Sequence, residues 1–226
     1  MQSLHSRWVL FYHGSRNNNW NKDSYAILGS ASTIQETDIL HKHMNYVHKE
    51  STDNLWDDAM LFWMRERENT DTGQRSFVYP MWEDPFNIQG GAVCMSGQEA
   101  AMWELFWKFV ARISGESLFS KTHVGLALVN GVSINKKSDH TYVKVWYSTL
   151  PKTDIDVSSI ITQWCPEMRQ HAMEQKVYVV PYCHVKSKDT EKTSKAVKRM
   201  YSGRQRNKKK RSGRNHTMGS WTRRRL

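Results

Sequence analysis

The segment from Glu99 to Ile113 restricts the fold of this chain more than any other stretch. On a helical wheel, Leu105, Phe109, Met102, Ile113, Phe106, Val110, Trp103 and Trp107 form one apolar arc of roughly 200°. Docking on a sheet needs an arc of roughly 100° or a little more. Only Glu104, Lys108 and Arg112, with Ala111, fill the remaining side. A helix this apolar either sinks deeply into the protein or leaves one margin, near Trp107, to face a partner. Both readings are open at this level.

What such a helix packs on follows from the rest of the chain. Trp8 to Tyr12 reads as a strand, and Ala59 to Met64 and Ser76 to Tyr79 as aromatic-rich extended runs joined by a polar loop containing Gly73. Ala92 to Met95 is a short strand. Val124 to Val129 and Tyr142 to Tyr147 look like a pair connected through Gly131 to His140, and Val177 to Val180 is a last strand. Thr33 to Lys49 reads as a helix, with Thr33 or Ser32 as its cap and Glu36 completing a capping box. Asp154 to Met173 is a further helical stretch. Strands outnumber helices and adjoin mostly through loops. The expectation is an α+β fold, an antiparallel sheet with helices on one face.

The run Pro80-Met81-Trp82-Glu83-Asp84-Pro85 carries the clearest chemistry. An indole beside a carboxylate can clamp a flat, cationic ring that offers hydrogen-bond donors along one edge. Stacking on a desolvated cation contributes roughly 2 kcal/mol, and a carboxylate can accept two edge donors as a bidentate pair. Guanine methylated at N7 is such a ring. A sandwich needs a second indole, and Trp20 is the candidate. It lies among Asn17, Asn18, Asn19, Asn21, Lys22 and Asp23, with no helix or strand face on which to bury itself. It is either a loop anchor folded back on the core or a stacking platform. Asp84-Pro85 marks a turn that sets Trp82-Glu83 at the end of an extended segment.

Taken in order, Arg7 to Tyr12, Trp20, Thr33 to Glu36, Pro80 to Asp84 with Gly90-Gly91, Ile113 to Glu116 and Val143 to Trp146 resemble the eukaryotic translation initiation factor 4E family, which binds the messenger-RNA cap. The resemblance covers roughly residues 4–185, and the Pro-Met-Trp-Glu-Asp block is its specific part. It implies a curved antiparallel sheet with about three helices on its convex face and a cap site on the concave side. It further implies that Trp20 and Trp82 sandwich 7-methylguanine, that Glu83 holds its edge and that Trp146 packs near the methyl group. The expected partners are capped mRNA, with altered methylation near the cap as one option, and a scaffold of the factor 4G type. This chain departs from the family where a scaffold-contacting tryptophan is expected four residues after Ile34, because Asp38 stands there. Trp107 is then a candidate substitute anchor. The arginine before the double glycine is Gln89.

A cap also presents a triphosphate, which calls for cations near the stacked base. Alternation along Tyr142 to Tyr147 puts Lys144 on the side of Trp146. Lys136 and Lys137 lie where the family places an arginine, and Lys192 falls where it closes a loop over the phosphates. These four lysines are the candidates. From Lys186 to Leu226 the chain holds 16 Lys and Arg against Asp189 and Glu191, a net +14. Of the chain's 33 basic and 22 acidic residues, that leaves 17 and 20 for residues 1–185, a net −3. The expected organisation is a cap-binding domain over 1–185 and a basic tail over 186–226. Runs such as Asn207 to Arg211 cannot order themselves by apolar burial. They suit an electrostatic arm on RNA or a nuclear import signal.

Other chemistry is not supported. His41 and His43 diverge on their helix, and Cys94, Cys165 and Cys183 form no metal-ligand or disulfide pattern. No phosphate-binding glycine loop, nucleophile elbow or pair of catalytic carboxylates occurs. No metal or cofactor is expected, and no enzymatic activity. Neither a secretory signal nor a run of ~20 apolar residues is present, so the expectation is an intracellular protein, cytoplasmic with a possible nuclear pool and no membrane association. Two alternatives stand beside the cap-binding initiation factor. One is a general single-stranded RNA-binding module, stacking bases without demanding the methyl group. The other is a cap-binding repressor that recruits no scaffold.

Overall fold

The computed structural model describes residues 2–50, 58–69, 72–115, 129–137, 139–148 and 178–181. Its strands are β1 (Ser3–Gly14), β2 (Ala26–Thr33), β3 (Ala59–Glu68), β4 (Arg75–Phe77), β5 (Gly91–Gly97), β6 (Val129–Lys137), β7 (His140–Tyr147) and β8 (Tyr178–Pro181). The helices are α1 (Ile34–Glu50) and α2 (Glu99–Ser114). Seven strands run in the order β2-β1-β3-β6-β7-β5-β8, with β4 pairing to β3 off that path. Every pairing is antiparallel. The α+β expectation holds, with two helices among the described residues. The helical stretch read over Asp154 to Met173 lies outside them.

The sheet is buried on both faces, which explains why its central strands read as apolar runs. On one side Trp8, Leu10, Leu61, Trp63, Val132, Val143 and Val145 pack with α2. On the other, Val9, Phe11, Phe62, Met64 and Trp146 form a second cluster with Tyr25 and Val78. The two-residue period of each strand deals alternate side chains to the two clusters. Helix α2 lies across β6, β7, β1 and β5, and α1 rests on β2 and α2.

The wide apolar arc of α2 is resolved by sinking. Trp107 is 4% exposed, and His41 of α1 stacks on it with centroids 4.5 Å apart. His48 of α1 stacks on Trp103 at 4.2 Å, and the Trp103 indole donates to Asn45 Oδ1 at 2.6 Å. Two imidazoles thus roof the margin that the sequence left open, and Trp107 presents no face for a partner. The start of α1 follows the capping-box expectation. Glu36 N–H donates to Thr33 Oγ1 at 3.2 Å, while Glu36 Oε2 accepts from Thr33 N–H at 3.0 Å and from Ser32 N–H at 2.6 Å. These donors hold the Glu36 carboxyl below its ordinary range.

One connection differs from expectation. Residues 131–137, read as part of a loop, are strand β6, while 124–128, read as strand, lie outside the described residues. Gly131 misled the reading, since glycine usually punctuates. Here it serves close approach: a Cβ would lie 2.5 Å from the Trp63 carbonyl oxygen and 2.4 Å from Met64 Sδ.

Candidate functional site

The face of the sheet away from α2 carries the aromatic cluster, and Tyr25 is its centre. Its ring meets Phe11 at 6.2 Å, Phe62 at 5.8 Å and Tyr79 at 6.4 Å, each edge-on. Trp146 closes the floor, T-shaped on Phe62 at 6.2 Å, and its indole donates to Ser133 Oγ at 3.0 Å. Two loops reach this floor. From the first, Trp20 lies 6.5 Å from the Tyr25 ring. From the second, the Pro80 carbonyl accepts the Tyr25 hydroxyl at 3.2 Å. Burial, aided by the charge of Glu83, pushes the Tyr25 phenol up to about 12. Trp20 and the Trp82-Glu83 turn therefore share one buried neighbour.

Both indoles remain at the surface, Trp20 at 45% and Trp82 at 43% exposure, and Glu83 is exposed beside them. Lys22 Nζ lies over the Tyr79 ring at 4.9 Å, adding a cation to the same region. Aromatic rings, one carboxylate and one ammonium group are the chemistry a flat, charged ring calls for.

The second loop is fixed by buried and partly buried hydrogen bonds that the sequence did not reveal. Asp84 accepts Tyr79 N–H and Phe86 N–H, both at 3.0 Å, which is the Asp-Pro turn read from the sequence. Asn87 donates from Nδ2 to the carbonyls of Tyr79 at 2.9 Å and Met81 at 2.8 Å. Asn130 of β6 donates to the Phe86 carbonyl at 2.7 Å and to Asn87 Oδ1 at 2.8 Å. Arg67 Nε on β3 donates to Asn130 Oδ1 at 2.6 Å. Asn87 and Asn130 are both fully buried. Burial pushes the Asp84 carboxyl up, against the two N–H donors that pull it down. Gly90 ends the loop against β7, where a Cβ would lie 1.6 Å from the Tyr147 carbonyl oxygen. Asn87, Asn130 and Arg67 carry no spacing signature, because the partners are 43 to 63 residues apart in sequence.

The candidate phosphate ligands divide. Lys144 shares the strand face of Trp146, opposite Cys94, whose thiol burial pushes up to about 11 and the Lys144 charge draws down. Lys137 closes β6 at an exposed position with the same parity as Ser133. Lys136, with the opposite parity, turns to the helical side and pairs with Glu99 of α2 at 3.0 Å. It is thereby withdrawn from the set. Lys192 lies outside the described residues. On α1, Ile34 is half-buried, and Asp38 is exposed and paired with Lys42 at 2.6 Å. Among the described residues no cluster of three metal-ligating side chains occurs, and no helix is long and apolar enough to cross a membrane.

Comparison with known proteins agrees with this architecture. A family model described as eukaryotic initiation factor 4E matches residues 3–200. No curated protein sequence matches the chain. Among solved structures, the chain is similar to Ascaris suum eIF4E-3 in complex with an m7G cap, at 15% identity and a TM-score of 0.54. That likeness covers 83% of this chain and 93% of the other. A schistosome eIF4E complexed with m7GpppG and 4E-BP is 18% identical with a TM-score of 0.53, over 80% and 88% of the two chains. Caenorhabditis elegans eIF4E-3, solved with the 4E-binding protein Mextli and a cap analogue, is 15% identical with a TM-score of 0.53, over 78% and 91%.

Proposed function

This chain belongs to the eukaryotic initiation factor 4E family, and from that premise we propose that it binds the 7-methylguanosine 5′ cap of mRNA. In this reading Trp20 and Trp82 stack on the two faces of the base, and Glu83 accepts its N1–H and N2–H₂ donors. Trp146 closes the floor near the methyl group. Lys144 and Lys137 serve the triphosphate, with Lys192 a further cation. The observation that carries the reading is that the Trp20 ring and the Glu83 charge both reach Tyr25, above a floor of buried aromatics, while the indole of the adjoining Trp82 stays exposed. The protein acts by binding, in translation initiation or its control, in the cytoplasm and, given the basic runs of the tail, also in the nucleus. A scaffold or 4E-binding protein is its expected partner. Trp107 is too buried to anchor one directly, so contact falls to exposed residues of α1 such as Ile39, with Ile34 and Asp38 at its start.

Titration of tryptophan fluorescence with 7-methylguanosine triphosphate and with guanosine triphosphate tests the reading. The methylated nucleotide binds more tightly, because the sandwich favours a cationic ring. Glu83→Ala loses about 1–3 kcal/mol of binding with the bidentate pair. Equal affinity for the two nucleotides would point instead to a general RNA-binding module.

A further inference from the structure

The ring beneath Trp20 is an imidazole. His13 is the penultimate residue of β1, and its side chain is completely buried. Its plane lies 9° from that of Trp20, with centroids 4.2 Å apart. His13 Nε2 is 2.9 Å from the Asn19 carbonyl. A carbonyl only accepts, so Nε2 carries the proton and donates. Nδ1 is buried without a hydrogen-bond partner among the described residues. The rear of the imidazole is packed by Tyr25, at 4.9 Å and 49°.

One side chain therefore grips the loop twice, at the Trp20 ring and at the carbonyl just before it. The strand that carries it is anchored, since His13 pairs with Met60 and Gly14 with Ala59 in the register of β1 and β3. Ser15 and Arg16 tie the start of the loop to Asp58, at 3.4 and 2.7 Å, but the side-chain bonds next to Trp20 are local and exposed. Asn19 N–H donates to Asn17 Oδ1 at 2.9 Å, and Asn21 N–H to Asn19 Oδ1 at 3.2 Å. Those bonds shape the turn but do not tie the indole to the sheet. An exposed tryptophan ordered only on binding costs affinity, roughly 0.5–1.5 kcal/mol for one immobilised side chain. A stack already in place removes that cost.

We propose that His13 is a positioning residue for base recognition: it sets the plane and height of the Trp20 ring, without itself touching the base. The proposal rests on the cap-binding reading. A phenyl ring here would preserve the stack and lose the hydrogen bond, whereas alanine or leucine would lose both. The imidazole serves as a fixed backrest, and the binding face of Trp20 is the one turned away from it.

The test uses full-length protein labelled with 5-fluorotryptophan, with the Trp20 signal identified by its absence in Trp20→Phe. In His13→Ala the Trp20 signal of the free protein shifts and broadens, while the other nine tryptophan signals keep their line widths. Affinity for 7-methylguanosine triphosphate falls about tenfold, the equivalent of one lost aromatic pair. His13→Leu behaves likewise and replaces the alanine variant should the latter not fold. His13→Phe keeps a narrow Trp20 line and binds within about threefold of the parent. Unchanged affinity with a narrow Trp20 line in His13→Ala or His13→Leu overturns the proposal, as does His13→Phe binding as weakly as His13→Ala. If the parent protein fails to bind the nucleotide, the cap reading falls. The Trp20 line width in the free variants then decides the positioning role by itself.

Discussion

The two loops that bear the indoles are built on opposite principles. The Trp82 turn is tied to β3 and β6 by Asp84, Asn87, Asn130 and Arg67, in bonds that are buried or partly buried. The Trp20 loop is held at its start by Ser15 and Arg16 on Asp58, is shaped around the indole by exposed asparagine bonds and leans on the sheet there through His13. A buried amide that loses its partner costs about 1–3 kcal/mol, because no water replaces the bond. An exposed one is replaced by solvent at little cost. Stability is therefore invested in the Trp82 turn, which also carries Glu83, the residue we propose to read the edge of the base. The Trp20 loop has less to lose by moving, which suits a jaw that must admit a ligand.

This contrast is open to attack at several points. The largest effect is expected at Asn130→Ala, which strands the Phe86 carbonyl, Asn87 Oδ1 and Arg67 Nε together. Urea denaturation is expected to show a loss of about 3 kcal/mol. Asn17→Ala in the other loop is expected to cost less than about 1 kcal/mol, since its bond is solvent-exposed. Equal losses would erase the distinction between the two loops.

A smaller effect concerns the residue they share. The Tyr25 phenol lies at about 12 in the folded protein against an ordinary 10. A raised folded value means that its contribution to stability is intact below pH 10 and is lost as the pH climbs through 10 towards 12. Alkaline unfolding followed by circular dichroism is expected to show this decline, and Tyr25→Phe to lessen it, the buried Tyr147 phenol and Cys94 thiol keeping their share. A parent and variant with the same alkaline profile would place Tyr25 outside the junction.

The smallest effect is expected from the tail. Removing residues 203–226 is expected to flatten the salt dependence of binding to capped RNA, since each phosphate neutralised on a single strand contributes a slope of roughly −0.7. Binding of the isolated cap nucleotide is expected to stay as it was. An unchanged slope on RNA would exclude the arm.

Much of this architecture was legible in the sequence, for identifiable reasons. The capping box at Thr33 and Glu36 acts over three residues, so the start of α1 could be read directly. The α2 arc showed a deeply packed helix, but a wheel cannot tell a partner protein from His41 and His48 of the same chain. Strand β6 was obscured because Gly131 signals a turn locally while Trp63 and Met64 demand a glycine from across the sheet. Trp20, Trp82 and Glu83 stood out because an aromatic residue in a polar loop lacks a local reason to be there. Tyr25, Asn87, Asn130 and His13 gave no such signal. Each is an ordinary residue whose role comes from a partner distant in the chain or across a turn. Lys136 and Lys144 differ only in strand parity, which became readable once the true bounds of β6 were known.

The central claim is that two separately braced indoles act together on one charged base. A double-mutant cycle by calorimetry addresses it, with 7-methylguanosine triphosphate titrated into the parent, Trp20→Ala, Trp82→Ala and the double variant. Each single substitution is expected to cost about 2 kcal/mol, and the double variant less than the sum, because either loss alone opens the sandwich. Strictly additive costs, or a single variant that binds like the parent, would contradict the claim.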